Sequence, residues 1–210
     1  STPVVISRPT MSGKIGRFNV YSCPVVVKEL ADKYELGSYV GTSVEDPTKY
    51  LRFSIAPNDF QSMIIHGDKY EFIDPASADK TVYAVHPKTK KEKNGFLCST
   101  EESPAAKKEI DALLKNGQSF TNQPTTFNKS SDKKYRTMRL AMSVTGEYTQ
   151  YFMTLAGVPA TATDDQKRAP ALVAINNTLT RVNGVFEKDF ALHLNLQNFP
   201  NVIYIDPATD

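Results

Sequence analysis

"INNTLTRVNGVFEKDFALHLNL", residues 175–196, decides the fold of this chain. It reads as the body of a helix, a turn at an acidic residue, and then a strand. Upstream, "TATDDQKRAPALVA" opens the helix with Thr163 or Asp164 as its cap. Val173, Ile175, Leu179, Val182 and Val185 recur at helical spacing. Pro170 falls within the first two turns, where a proline disrupts least. Two strands follow, "ALHLNL" and "VIYID". Before the helix, "YRTMRLAMSVTGEY" predicts a strand from about Tyr135 to Thr145. "TGEYTQYFMTLAG" carries no decisive signal. Strand, long helix, strand, strand is the opening of an α/β domain.

The first hundred or so residues follow a different pattern. "RFNVYSCPVVV", "YLRFSI", "FQSMIIHG", "KYEFIDP" and "TVYAVHP" are dense in β-branched and aromatic residues. Each is bounded by Pro, Gly, Asn or Asp. "SMIIHGDKYEFID" predicts a hairpin turning at "HGDK". A short helix is expected within "PVVVKELADKY". Ser103 and Pro104 then open a second helix, expected over 104–115, with Ile110, Leu113 and Leu114 on one face. Gly117 stops it. "GQSFTNQPTTFNKSSDKK" is polar and has the composition of a linker. The expected organisation is a β-rich domain over 1–118, a linker over 119–134, and the first part of an α/β domain over 135–210. The fold class is α+β.

Composition narrows the function. The formal net charge of +2 gives no nucleic-acid footprint, which needs basic residues clustered on one face. No apolar run reaches the roughly 18 residues of a membrane span. "STPVVISRPT" has no signal-peptide core, and a signal removed before Ser1 is compatible with it.

The three histidines are His66, His86 and His193, and none stands in an H-E-x-x-H arrangement. His66 is expected in a turn and His86 at a strand end. His193, between Leu192 and Leu194, is expected on the less buried face of its strand. Asp164 and Asp165 suit helix capping, and "PKTKKEKNG" suits a solvated loop. No nucleophile elbow, phosphate loop or dinucleotide fingerprint occurs. Cys98 in "NGFLCSTEES" leaves three readings open: a disulfide with Cys23, a buried thiol, or a ligand reaching over a metal held by another domain.

Three stretches carry a resemblance: "YRTMRLAMSVTGEYTQYF", "AINNTLTRVNGVFEKDFALHLNL" and "NVIYIDPATD". In this order, from Tyr135 to Asp210, they are similar to the start of the catalytic domain of secreted bacterial zinc metallopeptidases of the reprolysin-like (adamalysin-type) family. "CPVVVKELADKYELGSYVG" and "LRFSIAPNDFQSMIIHGDKYEFIDP" resemble the propeptide region of the same zymogens, and "GFLCSTEE" resembles its cysteine-bearing segment. The resemblance implies a β-rich propeptide followed by the first strand–long helix–strand–strand portion of a metzincin-like α/β catalytic domain. It implies zinc in the full-length enzyme, on an H-E-x-x-H site that lies past Asp210, so no catalytic residue is assigned here. Cys98 becomes the implied inhibitory zinc ligand of the zymogen. The implied partners are the remainder of the catalytic domain and protein or peptide substrates, with neither nucleic acid nor membrane. The implied location is secreted, periplasmic or extracellular, and the chain alone is expected to be inactive. The competing expectation is a non-enzymatic β-rich protein that assembles with itself or a partner strand.

Overall fold

The computed structural model describes residues 2–88, 104–105, 107–109, 111–112 and 134–209. The expected linker over 119–134, except Lys134, and Cys98 lie outside the described residues. Residues 104–105, 107–109 and 111–112 are helical, within the helix expected over 104–115.

Seven antiparallel strands run in sequence order: β1 (Val4–Pro9), β2 (Ile15–Ser22), β3 (Gly37–Ser43), β4 (Tyr50–Ala56), β5 (Asp59–His66), β6 (Lys69–Pro75) and β7 (Tyr83–Pro87). A short helix, α1 (Lys28–Tyr34), links β2 to β3. The β5–β6 hairpin turns as its residues dictate. His66 pairs with Lys69, and Gly67 takes the left-handed φ of 61° that the two-residue turn requires. Two strands were not legible in the sequence. β1 ("VVISRP") is short and ends in proline, and β3 ("GSYVGTS") carries two glycines where strand formers are expected.

The sheet curls on itself, so that Arg8 of β1 donates to Glu71 of β6 at 3.0 Å. Strand alternation gives the sheet two faces. Phe18, Val20, Leu51, Phe53 and Ile64 pack together on the inside of the curl. Tyr50, Arg52, Ser54, Met63 and Ile65 lie on the other face, set by the Tyr50–Ile65 and Arg52–Met63 pairings.

That second face receives α3 (Asp164–Phe190), the 27-residue helix expected from the opening stretch. Thr163 caps it through a reciprocal box with Gln166: Gln166 N donates to Thr163 Oγ1 at 3.4 Å, and Thr163 N donates to Gln166 Oε1 at 2.9 Å. The helix passes through Pro170 and past Asp189, reversing at Ala191 with a left-handed φ of 53°. Gly184 permits the close approach, because a Cβ there would lie 2.8 Å from Met63 Cε and 3.1 Å from Arg52 Cγ.

A parallel pair, β8 (Arg136–Leu140) and β9 (Leu192–Leu196), flanks α3. The expected strand over 135–145 is shorter, because Thr145 caps a helix, α2 (Gly146–Leu155), in the stretch that carried no signal. "VIYID" is not a strand: Pro200–Val202 is a 3-10 turn, and Ile203 makes a single bridge to Val144. Proline's fixed φ and missing N–H favour the turn there.

Ser1–Thr89 and Tyr135–Asp210 form one compact unit. Its main core takes Val25, Val26, Leu30, Leu36 and Ala56 from the N-terminal part and Val144, Leu172, Ile175, Leu179, Leu196 and Ile203 from the C-terminal part. The backbone joins them too. Leu196 N donates to Val25 O at 2.8 Å and Val27 N donates to Leu196 O at 2.9 Å, so residues 25–27 extend the edge of β9.

Beside its apolar stripe, α3 buries a polar one. Asn177 donates to Asp59 at 2.9 Å and accepts from Ser54 at 2.7 Å, while Thr180 lies 2.9 Å from the Ser38 hydroxyl. Asn183 donates to Leu194 O at 2.8 Å and accepts from Leu194 N at 2.7 Å, acting as a strand neighbour for β9. Asn183→Leu leaves both Leu194 groups half-buried without the partner that Asn183 supplies. The expected cost is roughly 2–4 kcal/mol, read as a lower urea midpoint with unchanged slope.

Candidate functional site

The histidine expected to face outward is buried. His193 is 6% exposed, and its ring turns inward to Glu187, six residues earlier on α3. The alternation of Leu192 and Leu194 misled the sequence reading, because the side of β9 that carries His193 meets Glu187 of α3, while Leu192 and Leu194 are half-buried.

Around Glu187 several elements converge. His193 Nδ1 donates to Glu187 Oε1 at 2.6 Å. Tyr135, just before β8, donates to the same oxygen at 3.0 Å. Tyr50 of β4 donates to Oε2 at 2.7 Å, and the Arg52 guanidinium forms an ion pair with that oxygen. Arg52 Nε in turn donates to the Tyr50 hydroxyl at 3.0 Å. Arg52 has no exposed surface, and the Glu187 side chain is 11% exposed. Burial alone would raise the Glu187 carboxyl; the hydrogen bonds from His193 and Tyr50 and the charge of Arg52 outweigh it and hold the group down to about 2.

The other sequence candidates lie elsewhere. His66 sits 3.5 Å from Asp46, and His86 Nε2 sits 2.8 Å from Asp74, which also pairs with Arg181 of α3. Asp164 and Asp165 occupy the first turn of α3, with Asp165 2.7 Å from Lys33. These are structural ion pairs. An open groove of about 1270 Å³ passes along α2 and the start of α3. It includes Asp59, which is tied to Asn177 at 2.9 Å and Lys80 at 3.0 Å.

Among the described residues, one group has metal-ligand spacing: Cys23, Glu187 and His193, with ligand atoms within 4.8 Å of one another. Its chemistry does not fit zinc. His193 Nε2 donates to Pro24 O at 3.0 Å, so both ring nitrogens are committed to acceptors. The adjacent Arg52 already supplies a cation to Glu187. Cys98, the candidate zinc ligand from the sequence, lies outside the described residues.

Comparison with known proteins places this geometry in a family context. Residues 134–210 match the family model described as Metallo-peptidase family M12B Reprolysin-like. The match contains Tyr135, all of α3 with Glu187, and His193. It relates this part of the chain to a zinc-dependent protease family. No curated protein and no solved structure matches the chain.

Sequence reasoning missed Glu187, Arg52, Tyr50 and Tyr135 as a cluster. The available signal was Arg52 in "YLRFSI", a charge inside an otherwise apolar strand, which demands a buried partner. The partner is 135 residues away, and no local spacing marks it.

Glu187→Gln keeps the shape and removes the charge. It leaves Arg52 and His193 without their anion and is expected to cost about 3 kcal/mol in denaturant unfolding at neutral pH. Because folding lowers this carboxyl from 4.5 to about 2, its stabilisation is present above the ordinary carboxylate range. It is lost as pH falls from about 5 toward 2. The wild-type melting temperature should fall more steeply than that of Glu187→Gln across this window.

Proposed function

We propose that this chain is the N-terminal latency and folding part of a secreted zinc-dependent endopeptidase of the reprolysin-like type. The observation that carries the reading is the shared core. The matched segment does not close its own interior but buries Leu172, Ile175, Leu179 and Leu196 against Val25, Val26, Leu30 and Leu36. A propeptide that assists folding would leave this trace, because removing it would expose the same apolar surface.

In the whole enzyme, zinc and its glutamate base would come from sequence after the "DPATD" stretch, and peptides or proteins would be the substrates. Zinc bound there would supply Lewis-acid chemistry toward a peptide carbonyl. The residues of this chain orient and cover: α3 and β9 form a scaffold wall, and the curled sheet lies on α3. Cys98 would serve as the inhibitory zinc ligand, and the polar stretch 119–134 as the activation site.

The chain alone is expected to hydrolyse no casein, with or without added zinc. A longer protein carrying an H-E-x-x-H motif after Asp210 should gain activity when cut within 119–134, and Cys98→Ala should raise its activity before cutting. Turnover by the 210-residue chain itself, or no H-E-x-x-H motif in the sequence that follows, contradicts the reading.

A second reading rests on β1, the edge of the sheet, where Val4 is 64% and Val5 56% exposed. An apolar open edge can pair with another strand, which makes self-assembly the alternative function. A discrete oligomer in size-exclusion chromatography that Val4→Lys converts to monomer would favour it.

A further inference from the structure

The groove along α2 and the start of α3 has a volume of about 1270 Å³, more than the roughly 300–1,000 Å³ of a typical small-ligand pocket. Its apolar lining comes largely from α2. Tyr148, Phe152 and Leu155 line it, with the two rings 4.8 Å apart, and Leu155 is 62% exposed. Pro170 and Gln166 of α3 line it too. Pro170 has no N–H to give the Gln166 carbonyl one turn earlier. An apolar row beside a backbone acceptor that lacks its usual helical donor suits an extended peptide chain.

The polar lining selects which peptide. Four acidic residues, Asp32, Glu35, Asp59 and Asp79, share the groove with two lysines, Lys33 and Lys80. Asp32 pairs with Lys28 and Lys33 with Asp165, and neither of those partners lines the groove, so the acidic excess stands. Asp59 is 7% exposed. Its Oδ2 accepts from Asn177 at 2.9 Å and lies 3.0 Å from Lys80 Nζ. Its Oδ1 is buried and has no hydrogen-bond partner. A buried acceptor without a donor is costly, and Lys80 does not relieve it. Lys80 holds its position with a left-handed φ of 55°, a strained backbone for a residue with a side chain. Its side chain is 39% exposed, so its ammonium is the member of the pair that can leave for solvent.

We propose that the groove docks an extended peptide carrying an arginine between apolar residues, and that Lys80 holds the place of that arginine at Asp59. A guanidinium presents paired donors in a fork, so it serves Oδ1 and Oδ2 together where one ammonium serves Oδ2 alone. The apolar neighbours of the arginine lie on Tyr148, Phe152 and Leu155. Lys80 moves into solvent as the arginine enters. Neither zinc nor any sequence after Asp210 takes part in this recognition.

The test uses the full chain and short fluorescein-labelled peptides that carry arginine, lysine or citrulline between leucines. Fluorescence anisotropy should show saturable binding of the arginine peptide. The lysine and citrulline peptides should bind about tenfold more weakly, because the fork or the charge is lost. No binding of the arginine peptide, or equal binding of the citrulline peptide, overturns the proposal. Lys80→Gly relieves the left-handed backbone and removes the competing ammonium. With its native circular dichroism kept, it should tighten the arginine peptide about tenfold. Unchanged or weaker binding to this variant overturns the proposal. If Lys80→Gly does not fold, Leu155→Lys on the exposed lining decides. Its added charge should weaken the arginine peptide about tenfold at low salt, and no change places the binding outside the groove and overturns the proposal. A dimer that Leu155→Lys converts to monomer, and that the arginine peptide does not dissociate, would replace the peptide with a second copy of this chain.

Discussion

The largely buried carboxylate of Glu187 is the interaction on which the rest of this structure depends. It stands near the end of α3 and collects Arg52 and Tyr50 from β4, Tyr135 from before β8, and His193 from β9. A single buried ion pair is weak evidence of stability, because desolvation offsets most of the attraction. Geometry is the stronger consequence. The charge of Arg52 cannot remain inside unless α3 docks in one register, and that register sets Gly184 against Met63 and Asn183 against Leu194. Apolar contacts supply most of the driving force, and the polar stripe selects the alignment.

The legible part of the fold was the part with local signals. The capped helix after Thr163, the hairpin at Gly67 and the KYEFIDP strand were all readable from capping chemistry, turn residues and β-propensity. What stayed hidden depends on distant partners. β1 and β3 are held by their neighbours in the sheet rather than by their own propensity. α2 hid because its first turn contains Gly146, whose Cβ position lies 2.2 Å from Pro207 N and so tolerates no larger residue. The sequence reading named no role for the polar residues of α3, yet Asn176, Asn177, Thr180 and Asn183 are all buried. The apolar stripe expected from Val173 to Val185 accounts for only part of what α3 covers. Of the cluster around Glu187, only His193 stood out in the sequence, and its direction was misread.

The functional meaning follows from where the seam runs. The segment matched to the metallopeptidase family supplies Glu187, His193 and Tyr135, while the β-rich part supplies Arg52, Tyr50 and Cys23. Residues 25–27 also lie along the edge of β9 as an added strand. Separating the two parts would uncover a charged residue of α3 together with an apolar face.

Native-state hydrogen exchange, followed by mass spectrometry at increasing denaturant, tests the central claim most directly: that the curled sheet and α3 are one cooperative structure. Amides of β4 and β5 and those in the middle of α3 should merge into a single opening reaction, with the same free energy and the same denaturant slope. Two separate openings, with α3 and β9 losing protection while β4 and β5 keep theirs, would contradict it.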